Sequence, residues 1–259
     1  QMNLIKTELA TLKRNYKVAR KSEICKDMTD VVIPSELDEK PVEKVVLGIA
    51  ADYTIKRIPL KNFNLSNKDA IGATSAEMLT TAMEVQTDDK VLFFSNLGNC
   101  YKTEVGKLAE VRYRDNGVTL SQTFNDAQKG EVPVSVLVMP RDEDEAQGEV
   151  LLYTRQGMVK RTAWSEYQLQ KASYQGYKGK DGDEVYKAEL VRPDTEIFYV
   201  TNKGGCVRFD VSEVPLQGRV AGGVHCINLG KDEVVVWVGQ VDKEKGEVVM
   251  ITDKGFMKR

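Results

Sequence analysis

Positive charge recurs in this chain at a fixed place. Arg57, Lys102, Arg161, Arg208 and Arg259 each stand four residues past the turn of a short apolar hairpin, and Lys56, Lys160 and Lys258 immediately precede three of them. One basic residue per repeated unit sets a series of cations around a perimeter, which suits a long polyanion better than a small ligand. Duplex DNA carries a phosphate charge about every 1.7 Å, and Lys or Arg contacts release its counterions without reading sequence. Residues 155–180 concentrate the same chemistry, with Arg155, Lys160, Arg161, Lys171, Lys178 and Lys180 opposed only by Glu166. Trp164, Tyr167, Tyr174 and Tyr177 are interleaved with them; Trp164, beside Lys160 and Arg161, stands where it could flank DNA. Gly176 and Gly179 leave room for backbone N–H groups to approach a phosphate. The competing reading is that charges at the ends of exposed hairpins are simply solvated.

Other chemistries find little support. His225 is the single histidine, so triads and most zinc-hydrolase sites lack their usual residue. Cys25, Cys100, Cys206 and Cys226 contain no CxxC pair, which argues against a zinc ribbon or a redox dithiol and leaves a reducing cytoplasm as the default. The acidic run Asp142–Glu145 lacks the alternating spacing and glycine of a calcium loop and reads as a solvated connection. Gly179-Lys180 and Gly230-Lys231 are not phosphate loops: Tyr174 and His225 occupy the place of the first glycine, and Asp follows each lysine.

The elements that carry the cations are repeats. Segments starting at Val45, Val91, Val150, Ile197 and Val248 each read as an apolar strand, a polar turn and a second short strand ending in a basic residue. Their turn positions are Tyr53, Gly98, Gly157, Gly204 and Gly255, giving periods of 45, 59, 47 and 51 residues. A unit of about 40–50 residues is the length of a four-stranded propeller blade, so the expected fold is an all-β array of blades. Two positions past the turn lie Ile55, Cys100, Val159, Cys206 and Met257, all apolar, which makes Cys100 and Cys206 small buried hydrophobes. Three positions before the turn stand Ser95, Thr154, Thr201 and Thr252. The apolar and basic columns are two residues apart and would share a face of a regular strand. Either the strand is bulged there, or the basic stems lie over apolar surface with their heads in water.

The remainder of the chain frames this array. Residues 1–26 carry Ile5, Leu9, Leu12 and Tyr16 on one helical stripe, and residues 27–44, acidic with Pro34 and Pro41, read as a linker to a domain over residues 45–259. A helix this short cannot hide its stripe alone; it packs on the domain or is the stump of something longer. Lys and Arg total 37 against 39 Asp and Glu, so DNA affinity would have to come from charge distribution rather than net charge. No run approaches the about 20 apolar residues of a membrane span, and no apolar leader opens the chain.

The sequence resembles the C-terminal region of the A subunit of bacterial type IIA DNA topoisomerases, the family of gyrase and topoisomerase IV. The stretch from Glu8 to Ile24 resembles the end of that family's coiled-coil arm. The runs TRQGMVKRT from Thr154 and FYVTNKGGCVRFDVSEVP from Phe198 resemble its two alternating repeats. The loops from Gly117 and Gly218 resemble its inter-hairpin segments. The resemblance implies a β-pinwheel of about five or six blades, with strands exchanged between neighbours and a rim that binds and bends duplex DNA. It further implies that this chain is not an enzyme on its own. The catalytic tyrosine and metal-binding acids belong to an upstream domain, and ATP and magnesium to other domains, including the B subunit. The implied partners are duplex DNA, a second copy of the A chain and the B subunit, in the bacterial cytoplasm at the nucleoid. Ending at Lys258-Arg259, after a hairpin, the chain is expected either to continue in the natural protein or to close its ring there. Gyrase carries a Gln-Arg-Arg-Gly-Gly-Lys-Gly type box after its first hairpin; the stretch from Asn64 to Glu77 has one lysine, no arginine and no Gly-Gly. That departure favours the topoisomerase IV type, which relaxes and decatenates, over gyrase-type wrapping. A propeller that serves as a protein-interaction scaffold is the alternative outside this family.

Overall fold

The computed structural model describes residues 2–18, 41–66, 74–141, 147–180, 182–244 and 247–259. Cys25, residues 27–40 of the linker expected over 27–44, the acidic run Asp142–Glu145 and the middle of the compared box stretch, residues 67–73, lie outside them. The chain divides into two compact units, residues 1–41 and 42–259.

The first unit holds α1 (Met2–Asn15), whose stripe of Ile5, Leu9, Leu12 and Tyr16 is exposed. Lys13 and Arg14 in its last turn complement the negative end of the helix dipole.

The second unit is a series of antiparallel sheets, each built on one of the expected hairpins. The first blade has β1 (Lys44–Ala50) flanked by β2 (Ile55–Pro59) and β3 (Leu79–Gln86). A short helix, α2 (Leu60–Leu65), follows β2. The second blade joins β4 (Lys90–Ser95), β5 (Asn99–Glu104), β6 (Pro133–Val138) and β9 (Ser173–Gln175) in the order β6-β4-β5-β9. The helical turn α3 (Leu120–Thr123) leads into β6 behind a capping box from Thr119 and Gln122. The third blade has β7 (Glu149–Thr154), β8 (Met158–Ala163), β10 (Val185–Leu190) and β13 (Val224–His225), ordered β10-β7-β8-β13. In the fourth, β11 (Thr195–Thr201) lies between β12 (Cys206–Asp210) and β14 (Val235–Asp242). The fifth hairpin is β15 (Met250–Ile251) and β16 (Met257–Lys258).

Strand order shows the exchange. After the third hairpin the chain returns to the second blade as β9 before rejoining its own as β10. After the fourth it returns to the third blade as β13. Val118, reached after the second hairpin, likewise bridges back to Ile55 of the first blade.

The hairpin strands are apolar on consecutive residues because both faces are covered. Val91 and Phe93 face a core shared with Val45, Leu47 and Ile49, whereas Leu92 and Phe94 face Val150 and Leu152. Leu151 and Tyr153 turn the other way, onto Ile197 and Tyr199. The cores thus lie between neighbouring blades. The hydroxyl column has a local role: Ser95, Thr154, Thr201 and Thr252 each accept the backbone N–H four residues on, at 2.9–3.1 Å, closing the turn.

Candidate nucleic-acid interface

Hairpin register runs through the basic column without a shift, so the strands are not bulged there. The long stems lie along the sheet, and four of the five heads pair with a carboxylate. Arg161 pairs with Glu149 at 3.2 Å, and Arg208 with Glu196. Each acid is twelve residues upstream and diagonal across the hairpin, within reach of a long side chain. Arg259 pairs with Glu247 at the same spacing, and Arg57 with Glu110 at 3.5 Å. The expectation that this column forms a free cationic rim is therefore corrected: most of it is neutralised within the blades.

The lysines of the column are corrected further. Lys56 and Lys160 are fully buried, and Lys102 is half-buried. Lys56 Nζ donates to Tyr113 O at 2.9 Å, Lys160 Nζ to Gly176 O at 2.9 Å and also to Arg219 O, and Lys102 Nζ to Leu169 O. An ammonium committed to carbonyls in the interior cannot reach a phosphate. Burial lowers all three pKa values, that of Lys160 to about 8 despite the opposing pull of Cys100. Arg219 lowers it further, Glu166 raises it, and the Tyr177 ring lies 5.6 Å from the ammonium.

This yields a pH prediction. Between about pH 8 and the ordinary lysine range near 10.5, the unfolded chain binds a proton at Lys160 that the folded chain has lost. Stability from this group therefore rises with pH across that window. The tyrosines pull the other way only above pH 10, since burial raises Tyr101, Tyr167 and Tyr174. Denaturant unfolding at pH 8 and 9.5 should show Lys160→Met with a smaller gain, or larger loss, than the parent; equal changes would contradict the assignment.

Three aromatics and two residues of small size also sit otherwise than expected. Trp164, Tyr167 and Tyr177 are buried, packed with Phe94 and Leu152, so Trp164 flanks no ligand. Gly176 is buried as well; a Cβ there would lie 2.2 Å from Cys100 Sγ, so its smallness serves packing. Cys100 is buried as expected, but Cys206 is exposed on β12.

Of the expected contacts, the exposed ones without an ion pair lie on the exchanged segment and, for Lys258, on the fifth hairpin. Lys171, Lys178 and Lys180 are exposed and form no ion pair among the described residues. Arg155 is half-buried, 3.8 Å from Glu184 and over the Tyr186 ring; Lys258 and Arg259 are exposed on the fifth hairpin. Arg219 was not among the expected contacts. It lies on the neighbouring exchanged segment with its guanidinium 5.1 Å from the centre of the Tyr174 ring, and it donates to Gln175 O. The two segments adjoin: Tyr177 Oη donates to Gly222 O at 3.2 Å. Together with Leu169, Lys171, Tyr174 and Arg219 border an open recess. Residues 168–180 and 214–231 contain no Asp or Glu at all. Two acid-free segments, separated by residues 181–213, thus run side by side with Lys171, Lys178, Lys180 and Arg219. Charge scanning by sequence window misses Arg219; the absence of acids from both segments was the available signal.

Among the described residues no group of His, Cys, Asp and Glu could hold a metal ion, and no helix is long and apolar enough to cross a membrane.

A family model described as the DNA gyrase C-terminal domain, β-propeller, matches residues 89–131, 148–189, 195–242 and 246–259. The A subunit of DNA topoisomerase 4 from Staphylococcus epidermidis is 30% identical over 258 residues, 99% of this chain and 32% of that protein. Its counterpart from Staphylococcus aureus is 30% identical over 261 residues, 100% of this chain and 32% of that protein. The chain thus spans about a third of the length of the curated relatives it matches. The crystal structure of the C-terminal domain of DNA topoisomerase IV superimposes with a TM-score of 0.69 at 28% identity, covering 84% of this chain and 67% of that one. The DNA gyrase A C-terminal domain is alike in fold, with a TM-score of 0.59 at 21% identity over 83% of this chain and 70% of that one.

Proposed function

Because this chain belongs to the family of DNA gyrase C-terminal, β-propeller domains, we propose that it binds and bends duplex DNA as a non-catalytic part of the A subunit of a topoisomerase of the topoisomerase IV type. The observation that carries the reading is the pair of adjoining acid-free segments bearing Lys171, Lys178, Lys180 and Arg219. Three exposed lysines with the half-buried Arg219 beside them attract phosphate over a Debye length and need no base contact, so the binding is indifferent to sequence. The similarity to proteins named as A subunits of topoisomerase 4 supports the subtype, as does the lack of a gyrase-like box between Asn64 and Glu77. In this reading cleavage and ATP hydrolysis, with their magnesium, belong to other parts of the enzyme. The protein partners are a second copy of the A chain and the B subunit, and the enzyme acts at the nucleoid in the cytoplasm.

Binding to a linear duplex of roughly 40 base pairs, titrated over salt with a bending readout, tests this. With four phosphate contacts the slope of log K against log salt is about −3.6. Affinity should therefore fall more than about a hundredfold between 50 and 200 mM salt. Trapping of chiral supercoils on a plasmid would move the assignment to gyrase-type wrapping. No binding at low salt would leave the fold as a protein-interaction scaffold.

A further inference from the structure

The three buried or half-buried lysines reach an equivalent atom in three blades. Val118, Tyr174 and Val224 are the residues of the returning segments that pair with Ile55, Cys100 and Val159, each two positions past a hairpin turn. Five residues before them lie Tyr113, Leu169 and Arg219, whose carbonyls accept from Lys56, Lys102 and Lys160. The lysine changes column, standing three residues past the turn in the first and third blades and four past it in the second, yet finds the same carbonyl. In the fourth blade neither position is lysine, and no strand lies on the outer side of β12 among the described residues.

A buried ammonium without a carboxylate is a costly way to fill volume. What it provides is direction, since its donors fix a carbonyl to within hydrogen-bond distance. Each of those carbonyls lies at or within two residues of a cation that is exposed or, for Arg219, half-buried. Tyr113 stands between the exposed Arg112 and Arg114, Leu169 stands two residues before Lys171, and the third carbonyl belongs to Arg219 itself.

We propose that Lys56, Lys102 and Lys160 are positioning residues. Each latches from inside the stretch of returning segment that presents a cation outside, and so sets the spacing of the DNA-facing charges without touching DNA. The DNA-facing part rests on the function proposed above; the latch itself does not.

Lys160→Met tests both parts on this same 259-residue chain. Amide hydrogen exchange should accelerate at least tenfold at Gln217 and Cys226, which donate to Arg161 O and Gly157 O, and remain unchanged in β7. Duplex affinity should fall several-fold with the salt slope unaltered, whereas loss of a direct phosphate contact lowers the slope by about 0.9. Lys102→Met should act likewise on residues 169–175, and Lys102→Arg, retaining a donor at a half-exposed site, should restore the parent's exchange. Should Lys160→Met not fold, the Lys102 pair carries the test. Unchanged exchange in the folded variants, or a slope lowered by about one contact, overturns the proposal. Faster exchange in a chain whose parent binds no duplex keeps the latch and removes the DNA reading.

Discussion

Replacing Lys171, Lys178 and Lys180 together with glutamate will lower duplex affinity by about 10²–10³-fold near 0.1 M salt. Each lost phosphate contact removes about 0.9 released counterion, and at that salt each release is worth nearly a factor of ten. The slope of log K against log salt should flatten by about 2.7. All three side chains are exposed, so stability should move by no more than about 0.5 kcal/mol per substitution. The informative control is Arg161→Ala. Its guanidinium is held by Glu149 at 3.2 Å, so it should leave the slope where it was. An equal effect of both variants would return the interface to the basic column. A triple variant that binds like the parent would remove the exchanged segments as the site.

Gly98→Ala will be among the most destabilising single changes available at a turn. Gly98 has φ +82°, and a Cβ there would stand 2.7 Å from Tyr177 O. Its carbonyl also accepts the N–H groups of Gly176 and Tyr177, at 2.8 and 2.9 Å, so this turn is where the exchanged segment joins the second blade. Left-handed backbone costs about 1–2 kcal/mol for a residue with a Cβ. Displacing a packed backbone segment adds about 1–3 kcal/mol. The sum, about 2–5 kcal/mol, lowers Tm by roughly 4–20 °C in a domain of this size. Gly204→Ala separates the two parts. Gly204 occupies the equivalent turn with φ +81°, but nothing lies within 4 Å of its Cβ position, so only the conformational cost of about 1–2 kcal/mol remains. Equal losses at both turns would mean that the exchanged segment contributes nothing to the stability of the second blade.

Much of the fold was legible because its signals are local. Five hairpins follow from short apolar runs, turn residues and the recurrence of a hydroxyl before each of four turns, and a period near 50 residues predicts blades. The N-terminal helix follows from one stripe at a spacing of three and four. The candidate site was less legible for a reason visible in single residues. Lys160 and Lys178 belong to the same basic, aromatic-interleaved stretch of residues 155–180, but one is fully buried and the other exposed. Burial depends on which segment returns to cover β8, and that segment lies about 60 residues further along the chain. Arg161 offers a second case: its neutralising partner Glu149 was twelve residues upstream in plain view. Recognising the pair required the hairpin register, which turns a separation of twelve into a diagonal contact.

The sequence by itself therefore determined the blade hairpins, the residues that pack between blades, and the placement of charge relative to each turn. Strand periodicity, turn chemistry and family resemblance all act within a few tens of residues, and each leaves its mark in the order of amino acids. Tertiary structure alone decided which cations face outward. Exchange of strands between neighbours buries Lys56 and Lys160 beneath returning segments and brings Arg219 beside Tyr174. Lys56 and Lys160 are taken up by carbonyls of segments that return from a neighbouring blade, whereas Arg161 and Arg208 are paired by carboxylates of their own hairpins, which only the strand register brings within reach.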